Sequence, residues 1–227
     1  DNLGSAPKWR LGLGLEYLAN QYKKYGVEVI FRTGSAEKAL TELINETQAN
    51  QIVWGRTYLP PVNTRDAHIK SLFQNKGLLV KSFPGHLLFE PWSVSPKSSD
   101  FFKVYTPFWK ATRLKEPLGF ETKVSAIMGT EKNLKTESLE DWNLGAGMSR
   151  GSSIVRCFVR LGEDFARERL NYFISNNVMH YSTYRDIPSV DGTSCLSENL
   201  SLGEISPIEC WNAGLKALEE GHDAAEI

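Results

Sequence analysis

VEVIFRTGSAEKALTELINETQANQIVW, residues 27–54, decides the fold. Val27 to Arg32 is rich in β-branched residues and predicts a strand. Ser35 is placed to cap a helix that carries Ala39, Leu40, Leu43 and Ile44 at helical spacing. Gln51 to Trp54 predicts a second short strand. Strand, helix and strand in that order form a βαβ crossover, and the two strands must then run parallel.

The alternation continues on both sides. Upstream, Ser5 and Pro7 start a helix with apolar positions Leu11, Leu15, Leu18 and Tyr22, and Gly26 as its stop. Downstream, Arg65 to Gln74 predicts a helix, Leu78 to Phe83 a strand, and Thr106-Pro107 opens a helix bearing Phe108, Trp109 and Thr112. Periodicity fades after Leu114. Residues 115–160 mix Gly, Ser, Lys and Glu without order, apart from a short turn at Leu139 to Trp142. They are expected to be an interdomain linker laid over a surface. From Gly162 the pattern is helical, with Ala166, Leu170, Phe173 and Ile174 on one stripe, and no strand pattern returns. The expected organisation is an α/β domain over residues 1–114, the linker over 115–160 and a helical segment over 161–227. No internal repeat is visible.

Composition narrows the function classes. The 227 residues are 41% apolar and 23% charged, ordinary for a soluble globular protein. No apolar run reaches the roughly 20 residues a membrane span needs, and the N-terminus has no signal-peptide pattern. The expectation is a cytoplasmic protein without membrane contact. A net charge of −1 leaves no nucleic-acid footprint, so any DNA-binding surface must be a local patch or lie elsewhere. Lys103, Lys110, Arg113 and Lys115 make one modest basic cluster, either a solvated helix face or a DNA-backbone contact. Cys157, Cys195 and Cys210 have no metal-ligand spacing and cannot all pair. His68, His86, His180 and His222 suggest neither a metal site nor an acid–base pair, and no metal is expected.

The chemistry concentrates in YSTYRDIPSVDGTSCLSENLSLGEIS, residues 181–206. Thr193, Ser194 and Ser197 crowd a turn hinged at Gly192. Ser206, Pro207 and Glu209 then set up a capping box for the following helix. On their own, the hydroxyls of 193–197 would cap a helix and hold a turn. The same side chains beside free backbone N–H groups suit a phosphate.

This stretch resembles the flavin-diphosphate clasp of the DNA photolyase/cryptochrome family, which runs Tyr, Arg, Pro, then Thr-Ser-Arg-Leu-Ser-Pro and Gly-Glu-Ile-Ser. Tyr181, Arg185, Pro188, Thr193, Ser194, Leu196, Ser197, Gly203, Glu204, Ile205 and Ser206 match. Cys195 stands where the family has Arg, and Glu198 where it has Pro. Residues 51–69 resemble the family's Trp-Asn-Arg strand and Arg-Asp-Ala helix through Trp54, Arg56, Tyr58, Pro60, Arg65, Asp66 and Ala67, with Gly55 in place of Asn. Residues 101–111 resemble its Tyr-Lys-Val-Phe-Thr-Pro-Phe segment through Lys103, Val104, Thr106, Pro107 and Phe108.

The resemblance implies an α/β fold: a Rossmann-like antenna domain with a parallel sheet, followed by the first helices of an all-α FAD-binding domain. It implies FAD contacts at Tyr181, Thr193, Ser194, Leu196 and Ser197. Thr193, Ser194 and Ser197 would donate to the phosphates, and Tyr181 would pack against the cofactor or hydrogen-bond to it. Cys195 lacks the charge-assisted hydrogen bond an Arg would give, worth roughly 1.5–3 kcal/mol. Asp100 is either an exposed loop acid or, as in folate-using members, a contact to an antenna pigment of the folate or deazaflavin type.

The implied activity is a deoxyribodipyrimidine photo-lyase, a carbon–carbon lyase that repairs cyclobutane pyrimidine dimers in damaged DNA by light-driven electron transfer from reduced FAD. A cryptochrome-like photoreceptor that binds FAD without repair is the alternative. A nucleotide-binding module of the electron-transfer-flavoprotein sort is a third, against which the Gly-Glu-Ile-Ser motif argues. No catalytic residue of the family falls within this chain. Compared with the family pattern, the opening strand and the later repair residues are missing. The expectation is therefore a partial chain that alone neither retains FAD nor repairs DNA, with an uncovered sheet edge prone to association.

Overall fold

The computed structural model describes residues 3–96, 101–113, 115–117, 126–130 and 133–221. Among them the sheet has two strands, β1 (Gln51–Gly55) and β2 (Leu79–Phe83), paired in parallel with Gln51 opposite Leu79 and Gly55 opposite Phe83. The crossover between them is α3 (Pro60–Asn75), which starts five residues before the sequence-based expectation. Pro60 and Pro61 explain the earlier start, because proline's missing N–H is harmless in the first turn.

One face of the sheet is covered. Val80 is buried against Ile69 and Phe73 of α3, with Ile52 and Trp54 packed beside them. Leu40 and Ile44 complete this core from α2 (Ala36–Thr47), whose N-cap Ser35 accepts a hydrogen bond from Lys38 N–H at 3.3 Å. On the opposite face Val53, Leu79 and Phe83 are each at least half exposed.

Residues 27–32, expected as a strand, form none: they have no regular secondary structure and pair with neither β1 nor β2. Their backbone pairs instead with the segment expected to be a linker: Phe31 N–H donates to Thr136 Oγ1 and Glu137 N–H to Phe31 O, both at 2.9 Å. Trp142 stacks edge-on against Phe31. A buried Leu134 also anchors this part of the segment.

The first helix, α1 (Ser5–Lys24), departs from its expected stripe: Leu18 is 42% exposed, while Arg10 is buried. One side of α1 meets residues 144–147, where Trp9 lies over Gly145 and Gly12 over Leu144. Another side meets the helical part through Arg10, Gly14 and Tyr17. That part comprises the short α5 (Gly151–Val155), α6 (Gly162–Tyr172), α7 (Tyr181–Tyr184), α8 (Ser197–Leu202) and α9 (Pro207–Glu219), and is preceded in the chain by α4 (Tyr105–Thr112). Trp109 of α4 touches Trp211 of α9 edge-on at 6.0 Å. Ala166 and Leu170 of α6 form a second core with Leu196 and Ile205, joined by Ile174, Leu200, Cys210 and Ala213. Between α6 and α7 the chain widens into a π turn over Phe173–Asn177.

Candidate flavin-diphosphate site

Two successive carbonyls of the turn at 191–197 are held by one side chain. Arg169, near the C-terminal end of α6, donates from Nε to Ser194 O at 2.9 Å and from Nη2 to Thr193 O at 2.7 Å. The same guanidinium is paired with the Asp191 carboxylate through Nη1 at 2.9 Å and through Nη2. Asn177, on the π turn, donates to Asp191 O at 2.7 Å. The hydrogen bond and charge of Arg169 hold the Asp191 carboxyl below its usual range. Two successive carbonyls are thereby drawn toward α6.

That anchoring leaves donors over. Among the described residues, the backbone N–H groups of Thr193, Ser194, Cys195 and Leu196 donate to no protein acceptor. Ser194 Oγ and Ser197 Oγ have no protein partner there either, and Thr193 Oγ1 has only the Cys195 sulfur, at 3.3 Å. Leu196, not a hydroxyl residue, occupies the N-cap of α8, with no side-chain cap. The hydroxyls are therefore not consumed in capping. Unpaired backbone and hydroxyl donors gathered on one immobilised turn fit an anion such as a diphosphate.

Local sequence explains the shape. A Cβ at Gly192 would stand 2.6 Å from the Cβ of Tyr184 and 2.8 Å from its carbonyl, so only glycine allows this approach. Cys195 adopts φ of 52°, the left-handed region that most side chains avoid. Leu196 turns inward and is only 2% exposed, so it anchors the turn in the core. Tyr181 is half-buried, edge-on to Phe173 at 5.8 Å and under the Arg185 guanidinium. Downstream, Ser206 Oγ accepts from Glu209 N–H at 3.1 Å. The Glu209 carboxylate does not complete the capping box; it pairs with Arg167 Nε at 2.6 Å.

Of the sequence-derived residues, Thr193, Ser194 and Leu196 lie on this turn and Ser197 opens α8, while Tyr181 begins α7 and touches Phe173 and Arg185. Asp100 lies outside the described residues, as do His222 and Leu114. Lys103, Lys110, Arg113 and Lys115 are all exposed, and Lys115 donates to Ser93 O at 2.7 Å. His86 lies in the loop after β2, with its ring near Gly55 and Gly203. No group of three or more metal-ligating side chains occurs among the described residues, and no described helix is long and apolar enough to cross a membrane. Sequence reasoning missed Arg169, Asp191 and Asn177. Their partners lie 14 to 25 residues away, beyond any local spacing rule.

A concave region of about 480 Å³ lies away from this turn, between Ala19, Lys23, Val27, Phe31 and Leu139. Its carboxylate Glu137 is already engaged by Thr33 N–H, Thr33 Oγ1 and Trp142 Nε1.

A parallel α/β layer followed by helices carrying this turn defines the fold class. Residues 1–124 match the DNA photolyase family. A deoxyribodipyrimidine photo-lyase of Agrobacterium fabrum is 34% identical over 212 residues, covering 93% of this chain and 44% of that protein. The crystal structure of a bacterial class III photolyase from Agrobacterium tumefaciens superposes with a TM-score of 0.88 at 33% identity, over 98% of this chain and 47% of that one. Cryptochrome-2 of Arabidopsis thaliana is 25% identical over 214 residues, 89% of this chain and 34% of that protein. The chain belongs to the DNA photolyase family, and it spans less than half the length of these relatives.

Proposed function

We propose that the full-length protein is a light-driven flavoenzyme that repairs cyclobutane pyrimidine dimers in damaged DNA, a carbon–carbon lyase. In this reading residues 161–227 open its FAD-binding domain, residues 115–160 are the connection, and residues 1–114 form the antenna-type domain. The observation that carries it is the turn itself: four backbone N–H groups and two hydroxyls that have no protein partner among the described residues, on a loop anchored by Arg169. Bound FAD would supply the electron for splitting the dimer. This chain's own residues would hold the diphosphate. Thr193, Ser194 and Ser197 would donate to its oxygens, the inward Leu196 would fix the turn, and Tyr181 would line the approach. Family membership and the likeness to named photolyases support the reaction class.

A cryptochrome-type photoreceptor using the same clasp is the second reading, favoured by the similarity to cryptochrome-2 over 89% of the chain. One experiment separates the two. The purified full-length protein should show flavin absorption bands and, under blue light, remove dimers from an irradiated oligonucleotide. Flavin bands without dimer loss would favour the photoreceptor. Absence of flavin bands after reconstitution with FAD would overturn both.

A further inference from the structure

Arg10 sits in α1, far from the 193–197 turn in sequence, yet it is buried and its guanidinium meets Glu204 of the Gly-Glu-Ile-Ser segment. It grips the Glu204 carboxylate with two bonds, Nη1 to Oε1 at 3.1 Å and Nη2 to Oε2 at 2.6 Å. Nη2 also reaches Arg160 O at 3.4 Å. Glu204 passes the contact on: its Oε2 accepts from Asn199 Nδ2 at 2.7 Å, and its N–H donates to Asn199 O at 2.9 Å. Asn199 is 1% exposed and lies in α8, two residues after Ser197. Gly14 lies beside this pair, where a Cβ would meet Arg10 Nη1, Glu204 Oε1 and Leu202 at ordinary van der Waals distances. The remaining donor, Arg10 Nε, is buried without a hydrogen-bond partner, and the nearest carboxylate is Glu198, at 3.6 Å. Glu198 occupies the first turn of α8, where the family pattern has Pro.

We propose that Arg10 is a positioning residue for the flavin site, fixing α8 and the 193–197 turn from the first helix through Glu204 and Asn199. The inference rests on the reading of that turn as the flavin-diphosphate contact. Three features support position over mere adhesion. The contact is bidentate, so it sets direction as well as distance. Arg10 and Asn199 are buried and the Glu204 side chain is only 11% exposed, so water has little access to replace a lost partner. Its end point, Asn199, is one turn of helix or less from Ser197 and from the N-cap Leu196.

Buried ion pairs allow position to be separated from stability. Removing one partner strands a charge and destabilises, whereas replacing both by apolar side chains of similar size often restores stability. In the full-length protein, Arg10→Met and Glu204→Met should each lower the melting temperature and weaken FAD binding. The double variant should regain most of the melting temperature while FAD affinity stays about tenfold or more below wild type, because Asn199 then has no carboxylate to direct it. Recovery of affinity in step with stability would overturn the proposal. Should the single variants not fold, Arg10→Lys decides. It keeps the charge but not the fork, and should bind FAD several-fold more weakly at a near-native melting temperature; wild-type affinity there would overturn the proposal equally. Thr193→Ala/Ser194→Ala is measured beside them. If that pair binds FAD like wild type, the clasp reading itself fails. If it weakens binding while the Arg10/Glu204 double variant does not, only the role of Arg10 falls.

Discussion

The ring of Tyr17 occupies the space where a side chain at Gly162 would be: a Cβ there would stand 2.0 Å from the ring carbon Cζ. Gly162 has φ of +87° and begins α6, so two constraints meet at the contact between the first helix and the helical part. Gly162→Ala adds left-handed strain of about 1–2 kcal/mol and an overpacking cost of about 1–3 kcal/mol. Urea unfolding should show a loss in the range of about 2–5 kcal/mol. Adding Tyr17→Ala should return the packing part but not the strain.

The cap of the last helix offers a smaller test. Ser206 accepts the Glu209 N–H, and Ser206→Ala should cost about 1 kcal/mol. Ser206→Asp should preserve stability. Equal losses for both would show that the hydroxyl is not acting as a cap.

Acid titration reports on the clasp anchor. Arg169 holds the Asp191 carboxyl below its ordinary range. A depressed folded-state value contributes stability that is present above the unfolded value, about 4, and is lost as pH falls through the folded value. Thermal melts should show wild type more stable than Asp191→Asn at neutral pH, with the gap narrowing below about pH 4. Glu46 and Glu137 are shifted in the same direction by Arg32 and by Thr33 N–H with Trp142, so the acid limb persists in part in the variant. A gap independent of pH would contradict the Arg169–Asp191 pairing.

The cysteines should differ in reactivity. Cys157 and Cys195 are exposed, whereas burial, with the nearby charge of Glu209, pushes the Cys210 thiol up to about 11. At pH 8 only about one Cys210 in a thousand is thiolate, and the thiolate is the nucleophile. A disulfide reagent under native conditions should therefore titrate two fast thiols and one slow. Three fast thiols would place Cys210 outside the second core.

Much of this was legible in the sequence because it is written at short range. The crossover 51–83, the Ser35 and Ser206 caps and the α6 stripe all follow from spacing within one element. What was lost depends on partners distant in the chain. Residues 27–32 have strand composition, but composition names no partner, and their hydrogen bonds go to residues 136–137. Leu11, Leu15 and Leu18 gave α1 an apolar stripe, while its most buried residue is a charged one satisfied by Glu204, 194 positions away. The clasp hydroxyls could be named from a motif. The Arg169 that holds their carbonyls could not, since an Arg in a helix otherwise looks like solvated surface.

The central claim is that the 193–197 turn binds the flavin diphosphate, and FAD titration of full-length Thr193→Ala/Ser194→Ala tests it most directly. Each hydrogen bond to a charged group is worth roughly 1.5–3 kcal/mol, so the double variant should bind FAD at least about tenfold more weakly than wild type at an unchanged melting temperature of the flavin-free protein. Equal affinity in the two proteins would contradict the account, and would leave the turn as no more than a structural connection between α7 and α8.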